Sequence, residues 1–131
     1  MTETVRLRLS LLFATCGVLL IPWISVLIWQ EHGDAGKRSL GSSWIGLDIL
    51  EACCLAVVAV LLRRGHRATS PVAAATAAVL CMDAFFDAMS SAPQWAYAES
   101  LIMACVVELP LAALLAWVSW RALPAGPVMA P

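Results

Sequence analysis

Five carboxylic acids stand inside apolar stretches of this 131-residue sequence: Asp48 and Glu51, Asp83 and Asp87, and Glu108. A central Asp in a membrane span costs about 3 kcal/mol, so acids placed there ask for a chemical reason. Asp48 and Glu51 are spaced i,i+3 and Asp83 and Asp87 i,i+4, which puts each pair on one face of a helix. No Lys, Arg or His lies in the same stretches to neutralise them. Carboxylates held close together in a low dielectric cannot all carry charge, so protons or a cation must offset them. Two chemistries follow. Paired acids in different protonation states can do general acid–base work. An all-oxygen donor set suits Mg²⁺, Ca²⁺ or Mn²⁺ better than zinc, and the missing His argues against the Glu-x-x-His di-iron pattern.

The elements that must position these acids are four apolar runs, residues 9–29, 44–62, 71–89 and 100–120. At about 1.5 Å per residue, each is long enough to cross a hydrocarbon core of roughly 30 Å. Composition agrees: 62% of residues are hydrophobic and 13% charged, and the mean hydropathy is +0.86, far from a soluble domain. The expected fold is therefore all-α, a polytopic four-transmembrane-helix bundle over residues 1–123 with a disordered tail at 124–131. The first run is too long for a signal h-region and no small-x-small cleavage site follows it, so it reads as a retained span. With the N-terminus inside, Arg6, Arg8, Arg63, Arg64, Arg67 and Arg121 fall on the cytoplasmic side and only Lys37 and Arg38 outside, so both termini are expected to be cytoplasmic. That places the chain in a plasma membrane as a multi-pass protein, with the lipid bilayer as its first partner. A net charge of −1 gives no field for nucleic acid. The cysteines Cys16, Cys53, Cys54, Cys81 and Cys105 sit in apolar runs without metal-ligand spacing and read as small hydrophobes.

Counting inward from the outer ends at about 1.5 Å per residue, Glu51, Asp83 and Glu108 lie about 10–12 Å deep, and Asp48 and Asp87 about 5–6 Å. The deeper three are the candidates for acid–base chemistry. Asp48, Asp87, Ser25, Trp29 and Trp44 are the candidates for binding a substrate. Thr15, Pro22, Ser25 and Trp29 share a face of the first helix, and Pro22 and Pro110 each free a carbonyl for a ligand or a kink. Against a site stand two plainer readings: acids near helix ends reach the interface, and buried acids fix helix pairing by hydrogen bonds. The runs Ala73 to Ala78 and Ala112 to Ala116 allow close helix approach, within the chain or between copies.

The segments Trp44-x-Gly46-Leu47-Asp48-x-x-Glu51, Asp83-Ala84-x-Phe86-Asp87 and Glu108-Leu109-Pro110-Leu111-Ala112 resemble a family of small, uncharacterised four-span membrane proteins of high-GC Gram-positive bacteria. The resemblance implies the topology and no activity. In size and span count the chain is also similar to small multidrug transporters, but their essential acid lies in the first helix and this first span has none. Three functions remain open. One is a proton- or cation-coupled transporter or binding protein for a small substrate, in which four helices are few and a homodimer is expected. Another is a membrane enzyme that isomerises, cyclises or opens an epoxide of a lipidic or isoprenoid substrate. The last is an accessory subunit. No cofactor is expected beyond a divalent cation such as Mg²⁺.

Overall fold

The computed structural model describes residues 1–32, 41–90 and 101–123. Four helices account for nearly all of them, and no strand occurs among the described residues. They are α1 (Glu3–His32), α2 (Gly41–Arg64), α3 (Thr69–Ser90) and α4 (Leu101–Arg121), the last with a π-helical turn at Ala104–Glu108. All four are long and apolar enough to cross a membrane. Lys37 and Arg38, expected on the outer side, the tail 124–131 and the side chain of Trp44 lie outside the described residues.

Each helix extends past its apolar run because nothing in the flanking polar residues breaks it. α1 begins at Glu3, an acid favourable beside the positive end of the helix dipole, and runs unbroken through Pro22. α2 ends on Arg63 and Arg64, cations favourable at the negative end. Gly65 then takes φ 61°, a left-handed conformation that costs other residues a Cβ clash. Gly65 N–H donates to the Leu62 carbonyl and His66 N–H to the Leu61 carbonyl, the two bonds of a Schellman cap. His66 next starts α3: its carbonyl accepts from Thr69, and its Nδ1 accepts the Ala68 N–H. A turn this short forces α2 and α3 to be antiparallel neighbours.

α1 packs on α2, α4 packs on α3, and the two hairpins meet along α2 and α3; α1 and α4 do not approach one another among the described residues. The α1–α2 register is set by Ser10, whose Oγ donates to the Ala59 carbonyl at 2.8 Å, and by Gly17 lying against the Ala52 carbonyl. The α3–α4 contact uses Ala73, Ala77 and Ala112, all buried, so part of each alanine run serves packing within the chain. Lipid tails are as apolar as Leu, and the bundle is therefore held by close contact of such residues rather than by exclusion of water.

One stripe per helix faces inward. On α2 it reads Asp48, Glu51, Leu55, Val58, Leu62, and on α3 Ala73, Thr76, Leu80, Asp83, Asp87, both advancing by three or four residues, the period of a packed helix seam. Phe13, Leu55, Leu62, Leu80 and Leu115 fill the half of the bundle nearer the arginines with an apolar core. In the other half the same stripes carry acids. The carboxylates occupy core positions.

Candidate intramembrane carboxylate site

Asp48, Glu51 and Asp83 converge. One carboxylate oxygen from each lies within 4.8 Å of the others, and the side chains are buried, with Glu51 only 2% exposed, Asp83 6% and Asp48 8%. Two helices make this group, because Asp48 and Glu51 are one turn apart on α2 and Asp83 faces them from α3. The grouping differs from the two depth layers read from the sequence. Three residues of helix rise, about 4.5 Å, is within the reach of a Glu side chain, so Cα depth alone does not separate Asp48 from Glu51.

Glu108 is buried on α4 at 8% exposure and lies outside the close trio, within electrostatic reach of Asp83, Asp87 and Asp48. Asp87 is half-buried one turn from Asp83, and its charge is felt by Asp48 and Asp83. Two atoms of the site, Glu51 Oε1 and Glu108 Oε2, are buried without a hydrogen-bond partner among the described residues. A buried polar atom without a partner costs about 1–3 kcal/mol, and more if charged. A role confined to fixing helix pairs would leave these oxygens satisfied across the interface.

The π turn explains how α4 presents Glu108. Pro110 has no N–H to donate to the Val106 carbonyl, and its ring crowds that carbonyl. The chain widens instead, with Leu109 N–H donating to the carbonyl of Ala104, five residues back. The widened turn ends at Glu108, and Ala104 and Glu108 are its buried residues. Pro110 was legible in the sequence as a discontinuity beside an acid; the form it takes was not.

Among the described side chains, the first helix brings no polar group to the acids. Ser25 donates to the carbonyl of Ile21, one turn back, at 2.9 Å and is exposed, and Trp29 is 78% exposed. Thr15 and Pro22 are exposed as well, so the face they share with Ser25 and Trp29 points away from the bundle interior. The buried residues Phe13, Gly17 and Ile24 make the stripe that α1 turns toward α2, and all three are apolar. All five cysteines are free thiols, the adjacent Cys53 and Cys54 included.

Asp48, Glu51 and Asp83 are the residues whose oxygens could reach a single cation. An ion such as Ca²⁺, with oxygens at about 2.3–2.6 Å, spans opposed ligands about 4.6–5.2 Å apart, whereas Mg²⁺ at about 2.0–2.1 Å requires the group to contract. No family model, curated protein or solved structure matches the chain. Function is therefore argued from the site's own geometry and chemistry.

Proposed function

We propose that this is a proton- or cation-coupled transporter or binding protein whose working groups are Asp48, Glu51, Asp83 and Glu108. The observation that carries the reading is the set of buried carboxylates at core positions, three with oxygens within 4.8 Å of each other, with Glu51 Oε1 and Glu108 Oε2 unpartnered among the described residues. Ionisable groups inside spans that face the bundle interior commonly mark ion and proton pathways, a use that offsets the cost of placing them there. The mechanism is competition. A proton or a cation can offset the clustered charge, and binding one releases the other.

The enzyme reading would have a lipidic substrate reach these acids from the bilayer. Buried acids that converge inside the bundle rather than on its described lipid-facing residues support the transport reading over it. The test uses the full chain in proteoliposomes loaded with a pH-sensitive dye and challenged with Ca²⁺, Mg²⁺ or tetraphenylphosphonium. Wild type should move protons against at least one of these cations. Glu51→Gln and Asp83→Asn should each slow that flux at least roughly ten-fold, since a lost charge of this kind is worth more than about 1.4 kcal/mol. Flux unaltered by both variants, or absent with every cation, rejects transport. A changed lipid profile in cells carrying the gene would then support the enzyme.

A further inference from the structure

The groove between α1 and α2 is a second feature, independent of the acids. It has a volume of about 640 Å³, within the roughly 300–1,000 Å³ of ligand-holding cavities. Leu11, Val18 and Ile21 on one wall and Ala56 and Val60 on the other make it apolar, and Arg63 stands at one end. From Ser10 to Ser25 it follows α1 for about 22 Å, most of a hydrocarbon core of roughly 30 Å.

Positive charge gathers at the Arg63 end. Arg8 lies three residues before Leu11, on the same face of α1. The Arg6 guanidinium lies over the Gly65 turn, its Nη1 2.6 Å from where a Cβ on Gly65 would stand. Arg6 Nε is buried and lacks a hydrogen-bond acceptor among the described residues. Arg64 and Arg67 are exposed nearby, and Glu3 is the one acid at this end among the described residues.

We propose that this groove holds the acyl chain of an anionic phospholipid whose phosphate is bound by Arg63 and Arg8. Apolar walls accept any chain, so selection comes from the basic end, where planar guanidinium forks match phosphate oxygens. A second copy of the chain is the poorer occupant. A two-fold dimer through this face would bring two copies of the same basic end together or place arginines against apolar wall.

Native mass spectrometry of the full chain in detergent, with phosphatidylglycerol or phosphatidylcholine added, tests the proposal. Wild type should retain one phosphatidylglycerol under activation that strips phosphatidylcholine. Arg63→Gln should weaken that retention roughly five-fold, what a basic group at an anionic surface contributes, and adding Arg8→Gln should weaken it further. Ala56→Phe, which fills the groove, should reduce retention of both lipids, while Arg121→Gln on α4 should change neither. Equal retention of the two lipids, phosphatidylglycerol binding that survives both Arg63→Gln and Ala56→Phe, or a dimer in place of the lipid adduct each overturns it.

Discussion

Residue identity decides what the inward stripes can do. Leu55 and Glu51 are neighbours on one seam of α2, and Glu51 leaves a buried oxygen without a partner among the described residues. A chain selected for stability alone would put Leu at both positions. Replacing buried ionic groups by apolar ones of similar size is often stabilising, by about 1–4 kcal/mol. Glu51→Leu should therefore raise the thermal unfolding midpoint of the protein in detergent while removing cation-linked flux. A lowered midpoint would mean that the Glu51 carboxylate holds the helices together, the accessory reading. The acids themselves were legible in the sequence from type and spacing. That Asp48 joins Glu51 and Asp83, with Glu108 set apart, was not, because the side-chain reach that joins them is comparable to the helix rise that separates them.

At the scale of elements, two backbone features position the seams. Gly17 lets α1 approach α2 so closely that a Cβ there would stand 3.2 Å from the Ala52 carbonyl oxygen, which belongs to a helix and cannot move aside. Gly17→Leu should destabilise the α1–α2 pair by about 1–3 kcal/mol, the usual range for overpacking, read as a lower midpoint in detergent-denaturation curves. An unchanged midpoint would show that α1 is not held by this contact. On α4 the widened turn exists because Pro110 cannot donate. Pro110→Ala restores an N–H, and the turn at Ala104–Glu108 should contract to regular α-helix and rotate Glu108 relative to the residues before it. Circular dichroism should report the same helix content while cation-linked flux falls several-fold. Full activity would separate Glu108 from the working site. The four helices were plain from hydropathy, but α1 starts at Glu3 and α2 ends at Arg64, beyond their apolar runs, since charge at those flanks favours the helix dipole without registering as hydrophobicity.

The whole molecule is polarised along its length. Arg6 lies over the Gly65 turn, and Ser70 Oγ is 3.4 Å from Ser119 Oγ, so the end of α4 with Arg121 sits at the same end as Arg63, Arg64 and Arg67. Arginines gather at that end, and the buried acids occupy the other half. With the positive-inside rule, a C-terminal green fluorescent protein fusion should fluoresce and a C-terminal alkaline phosphatase fusion should be inactive. The opposite pair of results would invert the assignment of inside and outside. By itself the sequence determined the solvent, the number of spans, the even topology and the presence of acids where lipid-facing chains exclude them, because each follows from composition and from a period local to one helix. Only the tertiary structure decided that those acids replace core residues, that Ser25 and Trp29 are exposed instead of joining them, and that a basic-ended groove runs between α1 and α2. Those facts depend on which side of each helix meets its neighbour, and helix rotation is set by contacts such as Gly17 on Ala52 that no single-helix pattern contains.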